Sequence, residues 1–150
     1  MRAVVQRVRE SHVEIDGKIE GEIGPGLNVL IGVGKGDEKE DAEWLAAKIA
    51  SLRIFDDNEG LMNLSVNDVQ GDVLAISQFT LHAKTKKGTR PSYIRAAKPD
   101  LAIPLYQHFL KVLSMEVSGR VQSGVFGADM KVMIDNDGPV TIIIDTKNKE

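Results

Sequence analysis

Five consecutive residues, Ser77-Gln78-Phe79-Thr80-Leu81, combine a hydroxyl, an amide and a second hydroxyl at the end of the apolar run Val73–Ile76. In extended chain, Ser77, Phe79 and Leu81 face one way while Gln78 and Thr80 face the other. Polar side chains at the end of a buried strand need partners or a ligand. If the strand stops at Ser77 and the chain bends, successive backbone N–H groups become free, and such donors hold an oxyanion during acyl transfer. The Thr80 hydroxyl beside them would attack as a nucleophile, position a water, or serve as a hydrogen-bond partner, and residue types leave all three open. His82 lies two residues on, so in a strand it shares a face with Thr80 and would act as its base. The commoner role for such a histidine is a solvated one in a loop.

Immediately downstream, His82–Pro99 holds Lys84, Lys86, Lys87, Arg90, Arg95 and Lys98 and no acidic residue. It takes six of the nineteen Lys and Arg residues and none of the twenty-two Asp and Glu, leaving the remainder at thirteen against twenty-two, or −9. A net charge of −3 argues against a general nucleic-acid coat protein. Most charge runs are simply solvated. Here the adjoining polar strand end favours a local phosphate contact, with Lys84, Lys86, Lys87 and Arg90 in that role.

Other constellations are weaker. Gly32-Val33-Gly34-Lys35-Gly36 sits between a strand and a helix, but its glycine spacing fits neither G-x-G-x-x-G nor a Walker A loop. Asp37, Glu38 and Glu40 would repel a phosphate there, so a tight structural turn is expected. His12, His82 and His108 lack metal-ligand spacing, Asp56, Asp57 and Glu59 read as a polar turn, and the chain has no cysteine. No metal and no cofactor are expected. Asn136–Thr141 (NDGPVT) reads as a hairpin turn.

These residues must be held by elements. Arg2–Val8 reads as a strand, and Ser11–Ile15 and Lys18–Ile23 form a hairpin about Asp16-Gly17. Leu27–Val33 is an apolar strand. Asp37 and Glu40 offer a capping box for a helix whose Ala42, Leu45, Ile49 and Leu52 recur at helical spacing. Ile54-Phe55 and Leu61–Val66 are short strands, and Gly71–Leu81 is the buried central one. A second long helix starts at Pro99-Asp100. Ser118–Gly127 is loop-like, and Met130–Asp135 and Val140–Asp145 make a final strand pair. The implied class is α+β: antiparallel or mixed curled sheets, barrel-like, with two long helices packed outside. Residues 1–150 form one domain, with no membrane span or signal peptide, which suggests a cytoplasmic protein.

Gln6-Arg7-Val8, Ser77–Leu81 (SQFTL), Arg90-Pro91-Ser92 and Asn136–Thr141 carry a resemblance that spans essentially the whole chain. In that order and spacing the sequence resembles the D-aminoacyl-tRNA deacylase (D-tyrosyl-tRNA deacylase) family. The resemblance implies an editing hydrolase that cleaves the ester between a D-amino acid, or glycine, and the terminal ribose of tRNA. It implies a homodimer with the active site at the subunit interface. There a cis Gly138-Pro139 peptide from one subunit would exclude L side chains from the other's pocket. It places the N–H groups of Phe79 and Thr80 at the oxyanion and Ser77 and Gln78 in the pocket. Arg7, Met130 and Asn136 would support the cross-subunit motif and pocket wall. The basic segment would touch the acceptor end of aminoacyl-tRNA. The competing reading is a non-catalytic tRNA- or RNA-binding module using the same loop.

Overall fold

The computed structural model describes residues 1–150. Its eleven elements in order are β1 (Arg2–Ile15), β2 (Lys18–Ile23), β3 (Gly26–Gly32), α1 (Lys39–Ser51), β4 (Phe55–Asp56), β5 (Met62–Leu64), β6 (Asp72–Ser77), a 3-10 turn (Phe79–His82), α2 (Pro99–Glu116), β7 (Val121–Ser123) and β8 (Lys131–Asp145). Six strands form one mixed sheet in the order β2-β1-β3-β6-β7, with β8 along the other edge of β1. β7 curls back towards β2, bringing Ser123 O against Gly21, so the sheet is nearly closed into a barrel. β4 and β5 make a separate small ribbon. The class is the expected α+β.

Side chains alternate between two cores, as the period of a strand requires. Val73 and Ala75 of β6, with Ala3 and Val5 of β1, face the helices, where they meet Leu45 and Ile49 of α1 and Phe109 and Leu113 of α2. Leu74 and Ile76 point the other way, into the barrel, with Val8, Val13 and Ile23. β6 is thus buried on both faces, and it pairs in parallel with β3 and β7. Fully burying a side chain such as Phe109 contributes roughly 1.5–3 kcal/mol.

The Asp16-Gly17 hairpin forms as expected, both residues adopting positive φ (50° and 78°). Four expectations need correction. Arg2–Val8 and Ser11–Ile15 are one 14-residue strand, because β8 pairs along its length and bridges the polar residues between them. Likewise Met130–Asp135 and Val140–Asp145 belong to a single 15-residue β8 and not to a hairpin. Both halves run antiparallel to β1, with Gln6 opposite Thr141 and Val8 opposite Asn136. Asp137–Val140 therefore bulge outward opposite Arg7 alone, and a local turn signal becomes a bulge because β1 continues beneath it. The capping box of α1 is Glu38 with Asp41, one residue later than Asp37 and Glu40. Asp37 is instead buried, ion-paired to the Met1 amino group at 2.8 Å and accepting the Gly34 N–H. Lastly, the expected loop at Ser118–Gly127 contributes strand β7. No helix is long and apolar enough to cross a membrane.

Candidate active site

The central strand does not run to Leu81. β6 ends at Ser77, Gln78 donates its N–H to Ile31 O at 2.6 Å, and Phe79–His82 wind into a 3-10 turn. Such a turn leaves its first amides without intrahelical acceptors. Within the turn Leu81 N–H bonds Gln78 O, and Ala83 N–H beyond it bonds Thr80 O. The N–H groups of Phe79 and Thr80 find no acceptor in the chain. Gln78 Nε2 donates to Thr80 Oγ1 at 2.6 Å, which fixes both side chains.

Ser77, Gln78 and Phe79 form one lip of a cavity of about 290 Å³. Ile31, Val33 and Ile76 wall it from the sheet, and Met130 and Val132 close it from the start of β8. Three contributors escaped sequence reasoning. Tyr106 of α2 reaches the cavity and donates its hydroxyl to Ala75 O at 3.0 Å. Burial pushes that phenol up to about 12, so it stays a neutral donor. Phe126 and Asp129 come from the stretch after β7. Tyr106 stands one residue from the apolar stripe Leu101, Leu105, Phe109 and is hidden by it, while the other two sit in a stretch with no periodicity. Gly124 has a packing reason: a Cβ there would collide with Met130 Sδ.

Thr80 lies beside this cavity, held through Gln78, and His82 does not serve it. The 3-10 turn rotates His82 away, into a different hollow beside Met1, Gly34 and Asp37. There its ring packs on Gly32 and Gly34, where any Cβ would stand 3.0 Å or less from it. This explains the glycines of the loop as room for an imidazole. Desolvation pushes the His82 pKa below its usual value, opposed by a Gly32 backbone hydrogen bond.

Gly138 and Pro139 lie outside the cavity of their own chain, exposed on the β8 bulge, joined by a cis peptide. Asn136 staples the base of the bulge, its Nδ2 donating to Arg7 O at 3.0 Å and Val140 O at 3.1 Å. Arg7, only 8% exposed, supports it from below. Its Nε lies 3.3 Å from Asp137 Oδ2, and Nη1 donates to Ile54 O at 2.9 Å and Asp56 Oδ1 at 3.2 Å. Arg7, Asn136, Gly138 and Pro139 thus form one unit, and Ser77, Gln78, Phe79 and Met130 another.

Lys84, Lys86, Lys87 and Arg90 stand exposed on a loop pinched by a reciprocal pair of hydrogen bonds between Lys84 and Ser92 (2.8 and 3.0 Å). None makes an ion pair within the chain. The loop is tied to the cavity by an edge-to-face contact of Tyr93 with Phe79, 5.0 Å between centroids. Phe79 remains 54% exposed at the lip.

Residues 4–145 match a family model described as D-Tyr-tRNA(Tyr) deacylase. A protein of Flavobacterium psychrophilum named D-aminoacyl-tRNA deacylase is 57% identical over 150 residues, all of both chains. One of the same name from Parabacteroides distasonis is 56% identical over the same extent. Among solved structures, one described as c-Myc DNA Unwinding Element Binding Protein is 39% identical with a TM-score of 0.92, over 97% of this chain and 98% of that one. Another, described as a "probable eukaryotic D-amino acid tRNA deacylase", shares the fold at TM-score 0.78 and 18% identity, covering 95% and 97%.

Proposed function

Because this chain belongs to the D-Tyr-tRNA(Tyr) deacylase family and is an ester hydrolase acting as a D-aminoacyl-tRNA deacylase, we propose a metal-free editing site split between two subunits. The observation that carries the reading is the free pair of Phe79 and Thr80 amides at the lip of an apolar cavity, with Gly138-Pro139 presented away from it. In the reading, the terminal adenosine and its aminoacyl ester enter past Phe79, between Ser77 and Gln78. Water adds to the ester carbonyl, and the oxyanion that forms accepts hydrogen bonds from the two amides. The acyl carbon–oxygen bond then breaks, the ribose oxygen takes the proton, and D-amino acid and tRNA leave.

Thr80 acts here as a positioning group. Its oxygen already accepts a hydrogen bond from Gln78, and no histidine or carboxylate touches it to take its proton. The tRNA 2′-hydroxyl is then the group that orients the water. Chiral selection comes from the partner's bulge in a cytoplasmic homodimer. Backbone carbonyls hold the α-ammonium, an L side chain meets the Gly138-Pro139 peptide, and a D side chain points outward. Glycine, with no side chain, passes as well. That Gly138 and Pro139 sit on a braced, exposed bulge remote from their own cavity supports insertion into a second copy.

The test is deacylation of matched D- and L-tyrosyl-tRNA by the purified protein with chelator present. Release from the D ester alone is expected. Equal release from both esters would remove Gly138-Pro139 as a filter. Release from neither, with tRNA still bound, would overturn the hydrolytic reading.

A further inference from the structure

A second hollow lies on the far side of the Phe79–His82 turn, of about 340 Å³, and the chemistry above does not use it. Around it stand Arg2, Lys35, Arg95 and Lys147 against Asp37 and Asp145. Both carboxylates are already neutralised, Asp37 by the Met1 amino group and Asp145 by Arg2, at 2.8 Å each. Lys147 is spent on Asp41 at 2.7 Å. Lys35 and Arg95 are left exposed and in no ion pair, two uncompensated cations at a concave surface.

Their placement follows from a short ladder. Ala97 donates its N–H to Val33 O at 2.9 Å, Gly34 bridges Ala96, and Lys35 donates its N–H to Arg95 O at 3.0 Å. Val33 and Ala97 both line the first cavity. Lys35 and Arg95 therefore stand two residues further out along the same ladder, about 7 Å at the rise of extended chain. Long side chains add their own reach to that distance.

We propose that Lys35 and Arg95 form a phosphate clamp for the single-stranded 3′ end of the substrate RNA, gripping the phosphodiester one or two nucleotides before the ester-bearing adenosine. The inference rests on the deacylase reading. It gives the glycine loop Gly32–Gly36 a part in binding: its glycines seat His82, and its lysine is thereby held against the basic segment. The guanidinium of Arg95 offers a planar fork matched to phosphate oxygens, and Lys35 a point charge beside it. A contact of this kind fixes the register of the strand without reading sequence.

The experiment compares wild type with the Lys35→Ala/Arg95→Ala double variant on two substrates, D-tyrosyl-tRNA and 3′-D-tyrosyl-adenosine, which has no phosphodiester. For tRNA, KM should rise about tenfold with kcat held. The slope of log affinity against log salt should become shallower by about 1.4, the value for two single-strand phosphate contacts. For the nucleoside ester the two proteins should agree. Arg95→Lys should recover only part of the tRNA affinity. An unchanged KM and salt slope on tRNA would overturn the clamp while leaving the deacylase reading intact, and so would an equal loss on both substrates. If wild type cleaves neither ester, the deacylase reading fails first and the clamp with it.

Discussion

In the proposed mechanism Thr80 positions groups and does not attack, and its surroundings make a prediction. Activation of a hydroxyl nucleophile needs a base in hydrogen-bond reach. Thr80 Oγ1 instead accepts the Gln78 amide at 2.6 Å, while His82 lies in the other hollow. Thr80→Ala should therefore lower kcat by about tenfold and leave most of the rate enhancement standing, since losing one hydrogen bond costs up to about 1.5 kcal/mol and nucleophile loss is far larger. Single-turnover deacylation of D-tyrosyl-tRNA reads the difference, and loss to the uncatalysed rate would make Thr80 an obligatory nucleophile. A second residue-scale prediction concerns Asp41. Burial alone would raise its pKa, but the Lys147 ammonium, the Glu38 N–H and the Thr146 hydroxyl outweigh it and hold the carboxyl at about 2. A carboxylate lowered from 3.8 stabilises the fold above that pH and loses the contribution as pH falls towards 2. Wild type should thus be more stable than Asp41→Asn at pH 6, and the gap in urea midpoint should shrink between pH 4 and pH 2.

At the scale of elements, the β8 bulge is held by a single side chain from the neighbouring strand. Arg7 meets Asp137, Ile54 O and Asp56 from a buried site. Arg7→Ala leaves Ile54 O without its donor while water takes over at the half-exposed Asp56 and Asp137, at a cost of about 1–2 kcal/mol in stability, and frees the loop bearing Gly138-Pro139. Thermal unfolding should report the first effect, and the ratio of D- to L-tyrosyl-tRNA deacylation should fall with the second. Arg7→Lys, lacking the fork that spans three acceptors, should recover stability only in part. The basic loop behaves differently, since Lys86, Lys87 and Arg90 are exposed and in no ion pair, while Tyr93 and the Arg95–Ala97 ladder tie the segment to the cavity. Replacing these three by Ala should leave the unfolding midpoint unchanged, weaken tRNA binding, and flatten its salt dependence by about 2–3 in log–log slope. An unaltered slope would take the loop out of the RNA contact.

Across the whole molecule, an acidic chain concentrates six cations in the His82–Pro99 segment, and Lys35 joins Arg95 of that segment around the second hollow. That distribution suits a protein that docks only the end of a nucleic acid, since the remaining surface repels phosphate. The strands also explain why the candidate active site lies where it does. β6 is central, parallel-paired and buried on both faces, so at its carboxyl end rigid backbone meets a cavity between barrel and helices.

The α+β class, the Asp16-Gly17 hairpin, both helices and the polar end of β6 were legible in the chain because each depends on local spacing: period two, period 3.6, a turn dipeptide, an apolar run that stops. The four-motif resemblance added the family and with it the substrate. What misled was a local signal overridden either by a distant partner or by a change in backbone conformation. NDGP reads as a turn, but β1 runs beneath it and makes it a bulge. Asp37 reads as a helix cap, but the Met1 amino group, distant in sequence, claims its carboxylate. Thr80 and His82 share a face only while the chain stays extended, and the 3-10 turn parts them. The cavity walls from α2 and the segment after β7, and the isolation of Lys35 and Arg95 as the uncompensated cations of a second hollow, are set by long-range packing and pairing. Sequence determined which groups can do the chemistry, because that is covalent and local. Tertiary structure decided which of them meet, because neighbours in space are fixed by the burial of faces that no short window of sequence contains.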